Sequence, residues 1–191
     1  MAAPPLMTTQ QYLMTEETSS PQELIFGVLR MSPAPKPRHQ QLVAELFVPM
    51  ALHVRQGRLG TMWLSPLDVV LDDERGLVVQ PDMFFIGRDR LPFVPDRIRL
   101  APDLMVEVLS PFTRLGADPE ERLDWFARYG VSECWLVHQF QFRTEVVRFE
   151  NGGIASREMY EFDVPLRSAV LPDFRPVLYE VLDSSLGTRD S

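Results

Sequence analysis

Gln80-Pro81-Asp82-Met83-Phe84-Phe85-Ile86 and, further along, Leu104-Met105-Val106-Glu107-Val108-Leu109 decide the fold of this chain. Both runs are short, apolar, rich in β-branched or aromatic residues and bounded by proline, the pattern of buried strands. Each carries one carboxylate: Asp82 at the lip of its run, Glu107 in the middle of the other. An unpaired ionised carboxylate in such a strand costs several kcal/mol, so it is either paired or bound to a metal. Two hard oxygen ligands on neighbouring strands are suited to Mg²⁺ or Mn²⁺. A divalent ion so held is a standard means of activating water against a phosphodiester.

Working outward, alternation along the second run places Glu107 with Met105 and Leu109 on one face, and Leu104, Val106 and Val108 on the other. Residues 77–86 read as one strand entered from the polar turn Asp72-Asp73-Glu74-Arg75-Gly76, after strands at 61–64 and 68–71. Upstream, apolar residues from Leu42 to Val54 recur at helical spacing over residues 38–54. Pro49 lies inside that pattern and is expected to kink or split the helix. His39 falls on the same stripe. The prolines of Ser32-Pro33-Ala34-Pro35-Lys36-Pro37 enforce an extended connector. Before it, Glu23-Leu24-Ile25, Phe26-Gly27 and Val28-Leu29-Arg30-Met31 read as a hairpin, and residues 8–14 as a short capped helix.

Downstream of Glu107, Asp118 is a helix N-cap, Pro119 the first helical position and Glu121 the capping-box partner. Tyr129-Gly130 closes that helix. Strands at 133–137, 144–149 and 154–160 follow, the last two joined by the turn Asn151-Gly152-Gly153. A final helix is expected at 176–182, with a disordered tail from about 183 to 191. No repeat or linker divides the chain. The expected architecture is a single α/β domain over 1–191, with its core at about 8–182: a mixed β-sheet flanked by helices.

The 191 residues suffice for one domain burying about 70% of its unfolded surface. No apolar run reaches the roughly 18 residues that a membrane span needs, and Met1-Ala2-Ala3-Pro4-Pro5 lacks the features of a secretion signal. The single Cys134, in Cys134-Trp135-Leu136-Val137, reads as a buried reduced thiol, as in a cytoplasmic protein. The net charge of −8 argues against a broad nucleic-acid-binding stripe. Polyanion binding would then need local arginines and a bound cation. Lys36 is the one lysine; every other basic side chain is arginine.

Eight short segments occur in one order: Glu23-Leu24-Ile25-Phe26-Gly27, Met31-Ser32-Pro33, Pro37-Arg38-His39-Gln40, Pro66-Leu67-Asp68-Val69, Val79-Gln80-Pro81-Asp82, Ala101-Pro102-Asp103-Leu104, Val106-Glu107-Val108-Leu109-Ser110-Pro111 and Trp135-Leu136-Val137. Over residues 8–182 this series resembles the Uma-type family of restriction endonucleases, a branch of the PD-(D/E)XK nuclease superfamily. The resemblance implies a restriction-endonuclease-like core with the site where two central strands diverge. It makes Asp82 the acid of the PD motif and Glu107 its second acid, both holding Mg²⁺ (or Mn²⁺) with the backbone carbonyl of Val108. It adds Glu23 as a third carboxylate and His39 as an active-site histidine. DNA is the implied partner, and a homodimer is the typical assembly for nucleases that cut both strands.

The chain departs from the pattern where lysine is expected. Position 109 is Leu109, and the matching position in the following helix is Arg122. Arginine forks onto a charge but cannot act as a general base. His138 and Val28 stand where relatives often carry Asp and Glu. The leading function is therefore Mg²⁺-dependent hydrolysis of DNA phosphodiesters by Asp82 and Glu107, assisted by Arg122 and His39. One alternative is a nuclease-fold module, weakly active or inactive, that binds nucleic acid or protein. Another is a structural network in which buried arginines, Arg122 and Arg114 the nearest, neutralise the carboxylates.

Overall fold

The computed structural model describes residues 6–15, 20–94, 96–109 and 118–186. Helix α1 (Thr9–Leu13) is followed by the hairpin β1 (Gln22–Ile25) and β2 (Val28–Met31) and the long helix α2 (Pro37–Gly57). Then come β3 (Gly60–Leu64), β4 (Val69–Asp72), β5 (Leu77–Val79), β6 (Met83–Gly87) and β7 (Leu104–Leu109). Helix α3 (Pro119–Tyr129), strands β8 (Glu133–His138), β9 (Arg143–Glu150) and β10 (Gly153–Glu161), and helix α4 (Leu178–Leu186) complete the order.

The mixed α/β class is as the sequence implies, but the strands form two sheets. A six-stranded sheet runs β10-β9-β8-β7-β6-β3, and a four-stranded sheet runs β2-β1-β5-β4. Within the large sheet β7 and β8 pair in parallel, bridged by α3, while the other neighbours are antiparallel. The division happens inside the run expected as one strand over 77–86. Pro81 cannot donate to a ladder, so pairing stops at Val79 in the small sheet and resumes at Met83 in the large one.

Alternation sorts the core as expected. Leu104, Val106 and Val108 of β7 face a cluster with Leu42, Leu46 and Met50 of α2 and Leu178 and Leu182 of α4. Met105 faces the opposite cluster, with Phe84, Leu123, Phe126, Cys134 and Leu136. Glu107, on the Met105 face, therefore points towards α3 and the small sheet. The outer face of the small sheet packs Leu24, Val70 and Val78 against Tyr12 of α1.

Helix α2 is continuous through Pro49. An internal proline costs about 3 kcal/mol, whereas burying each large aliphatic side chain returns about 1.5–3 kcal/mol. Leu42, Val43, Leu46, Met50 and Val54 are all buried on its inner face. Helix α3 has the full reciprocal capping box, with the Asp118 side chain accepting from the backbone and Glu121 reaching back. The last helix runs on to Leu186, past the expected end at 182; the rest of the tail, 187–191, lies outside the described residues. Among the described residues no helix is long and apolar enough to cross a membrane.

Candidate active site

The hairpin turn before β2 is a strained one. Phe26 sits at φ 48° and Gly27 at φ 81°, and a bulky residue at positive φ is rare. Phe26 is held there edge-on to Trp125 of α3, 5.4 Å between ring centroids, and beneath the Arg75 guanidinium at 4.7 Å. This contact ties the hairpin to α3. The neighbouring Glu23 is thereby kept facing Arg122, one turn into that helix.

Arg122 is the centre of a buried acidic cluster. Its Nη1 donates to both oxygens of Glu23, at 3.0 and 2.8 Å, and its Nη2 donates to Glu107 Oε1 at 2.5 Å. Glu23, Glu107 and Arg122 are 0, 4 and 6% exposed, so these pairs are shielded from solvent. The remaining face of the guanidinium lies over the ring of Phe126, at 5.4 Å. Glu23 also accepts the backbone N–H of Gln80 at 2.8 Å, and the Gln80 side chain donates to Asp68. The connector between the sheets is thus a direct partner of the cluster.

Asp82 reaches the same place from the other side of the β6–β7 pair. The register sets Met83 opposite Val106, so Asp82 and Glu107 flank the last paired residues. Oδ2 of Asp82 accepts the Val108 N–H at 2.7 Å and lies 3.3 Å from His39 Nε2. His39 enters from the first turn of α2, which Pro37 starts. Asp82, Glu107, Val108, Arg122 and His39 all line one cavity of about 750 Å³. Glu23 does not line it: it stands behind Arg122. Arg114, the other arginine considered for the network, lies outside the described residues.

Charge explains the electrostatics of this cavity. Two carboxylates, Glu23 and Glu107, converge on the Arg122 cation, and Asp82 adds its charge beside Glu107. Burial pushes the Glu107 carboxyl up; Arg122 opposes the shift, and Asp82 and Glu23 add to it, leaving Glu107 at about 7. Burial alone would lower the pKa of His39, but its hydrogen bond to Asp82, the Asp82 charge, the Val108 backbone and Glu107 together raise it. Arg122 is held protonated: burial disfavours its charge, and the two glutamates more than compensate.

Among the described residues no group of three or more His, Cys, Asp and Glu side chains is placed to hold a metal. The donor set does fit a hard cation that keeps much of its water, as Mg²⁺ does. It offers two carboxylates at neighbouring strand positions, each with a second oxygen that makes no hydrogen bond among the described residues, and an excess of buried negative charge. Of the residues expected from sequence, Asp82, Glu107, Val108, Arg122 and His39 are brought to one cavity, while Glu23 lies behind Arg122. Two further participants escape sequence reasoning: Gln80, which acts through its backbone N–H, and the Val108 N–H as the clamp on Asp82. Neither has a side-chain signal.

The fold and this acidic cavity define a mixed α/β protein of the restriction-endonuclease-like type. Residues 9–183 match the Uma2 family, described as "Putative restriction endonuclease", and the chain belongs to that family. It is similar in structure to "a putative nuclease belonging to DUF820" from Anabaena variabilis, with a TM-score of 0.79 at 20% identity, over 94% of this chain and 99% of that one. None of the curated proteins matches the chain.

Proposed function

We propose that this protein is a Mg²⁺-dependent (or Mn²⁺-dependent) endonuclease that hydrolyses DNA phosphodiester bonds. The observation that carries the reading is the placement of Asp82 and Glu107 side by side at the wall of one cavity, with more negative charge than Arg122 can neutralise. The family membership supports the same reaction class. Asp82, Glu107 and the Val108 carbonyl are the residues that would hold the cation. When bound, it supplies a water of lowered pKa and neutralises charge on the leaving oxygen.

The chain's own groups divide the remaining work. The Val108 N–H fixes the Asp82 carboxylate through one oxygen, leaving the other without a hydrogen bond among the described residues. His39, held on the same carboxylate through Nε2 and raised in pKa, has its other ring nitrogen buried, so its part is to orient Asp82 and offset its charge. Arg122 keeps Glu107 in place and stabilises charge that builds at the phosphorus. It does not take a proton; the chain's one lysine, Lys36, lines the same cavity.

The 2.5 Å contact of Arg122 with Glu107 favours a second reading, in which the cluster is a structural ion network in a nuclease-fold binding module. Cleavage of supercoiled and single-stranded DNA in Mg²⁺ or Mn²⁺ separates the two. Wild type is expected to cut, EDTA to abolish cutting, and Asp82→Asn and Glu107→Gln to reduce it on the order of 100-fold or more. Equal background in all three proteins would leave the binding module as the better reading. Calorimetric titration with Mn²⁺ separates them by another route, because a purely structural network takes up no ion.

A further inference from the structure

One wall of the cavity carries a feature that the hydrolytic groups do not use. The turn between β8 and β9 presents Phe140, which is 46% exposed. Such an exposed ring is usually free to move, but here the Arg38 guanidinium lies over it, 5.0 Å from the centroid. Arg38 is itself pinned, its Nη2 donating to the Gln139 carbonyl at 3.3 Å. Its Nε is buried with no hydrogen-bond partner among the described residues. The next aromatic in the turn, Phe142, differs: it packs edge-on against Phe162, 6.0 Å between centroids. Phe140 and Arg38 instead line the same cavity as Asp82 and Glu107.

We propose that Arg38 and Phe140 form a stacking clamp for an unpaired nucleobase, laid on the outside of the Arg38–Phe140 stack rather than between its members, so that the site takes single-stranded DNA or a nucleotide extruded from a duplex. The proposal deepens the nuclease reading and rests on it for the identity of the polymer. Three observations converge. A net charge of −8 denies the protein the broad phosphate track that gives duplex binders their affinity. Affinity must then come locally, and stacking on an aromatic ring or a guanidinium plane is how single strands are held without a basic groove. The cavity, at about 750 Å³, is of the size that encloses a small ligand rather than a helix. Around the clamp, Gln40 and Gln141 add side-chain amides to the same wall, groups that can meet base edges as donors or acceptors.

Fluorescence anisotropy with a labelled single-stranded oligonucleotide and its duplex tests this, with Ca²⁺ in place of Mg²⁺ and a gel to verify that the probe stays intact. Wild type is expected to bind the single strand at least about tenfold tighter than the duplex. Phe140→Ala and Phe140→Leu are both expected to lose on the order of tenfold or more on the single strand, and Phe140→Trp to keep it. Phe140→Leu keeps an apolar side chain, so its loss reports the ring rather than the packing. Arg38→Lys keeps the charge and loses the plane, and is expected to weaken binding as well. Equal affinity for both probes would overturn the clamp, as would a folded Phe140→Leu that binds like wild type. Cleavage assays on the same proteins keep the two readings apart. A wild type that binds the single strand but cuts nothing leaves the clamp and removes the nuclease. A wild type that cuts, with Phe140→Leu binding undiminished, does the reverse.

Discussion

Asp82 Oδ2 and the Val108 N–H are 2.7 Å apart across the β6–β7 pair, so the acid that leads one strand is oriented by the backbone of the residue after Glu107 in the next. The contact needs only an acceptor at position 82. Asparagine supplies one with no charge. Asp82→Asn is therefore expected to fold with a melting temperature within a few degrees of wild type while losing Mn²⁺ uptake in calorimetry. A collapse of the fold instead would mean that the Asp82 charge, through His39, is a structural necessity.

Arg122 is expected to be among the least replaceable residues in the chain. Removing it leaves Glu23 and Glu107 buried against each other without a counter-charge, and breaking a buried pair in this way costs about 3–5 kcal/mol. Arg122→Ala should show that loss in urea unfolding. Arg122→Lys keeps a charge but cannot fork onto both glutamates, so an intermediate loss is expected. If the two variants are equally stable, the bidentate geometry contributes nothing.

Glu107 makes stability depend on pH with a definite sign. Its folded value of about 7 lies above the ordinary carboxylate value of 4.5, so the protonated form favours the native state. That contribution is fully present below the ordinary value and is lost as pH rises through about 7. In EDTA, Glu107→Gln should gain stability relative to wild type between about pH 5 and pH 8, read as the difference in melting temperature. Cation binding releases the same proton, so Mn²⁺ affinity should rise up to about tenfold per pH unit until near neutrality and then level off. A flat difference curve would show that Arg122 alone decides the charge of Glu107.

Glu133 should be the costliest acid outside the site. It is fully buried and accepts from Trp135 Nε1, Ser168 Oγ, the Ala169 N–H and Arg148. Glu133→Ala strands these donors, at roughly 3 kcal/mol or more. Unfolding of Glu133→Ala at the wild-type midpoint would contradict this.

The strands around both acids are legible in the sequence because their neighbours are apolar on each side, and α3 because its cap, first-turn proline and closing glycine agree. The two faces of β7 follow from alternation alone. The division into two sheets is not legible: Leu77 to Val79 and Met83 to Ile86 are equally strand-like, and Gln80-Pro81-Asp82 between them does not show that their partners lie in different sheets. The continuity of α2 runs against expectation because a proline weighs more in a sequence pattern than in a helix already buried on one side. Of the site, side-chain identities in their strands carry Asp82 and Glu107, and the family resemblance carries His39, Glu23 and Arg122. The Gln80 and Val108 amides are common to nearly every residue type and leave no mark in the sequence.

The crossover at Pro81 has a consequence for how the chain tolerates change in length. Gln80 faces the smaller sheet through Glu23, and Asp82 faces the larger through Val108, with a single residue between them. One residue added or removed there would shift the pleat of a whole strand and pull one of these amide contacts out of reach. At Asn151-Gly152, where an exposed turn joins β9 to β10, the same edit touches no such partner. This brief crossover between the sheets is thus a place where evolution has little freedom to insert or delete.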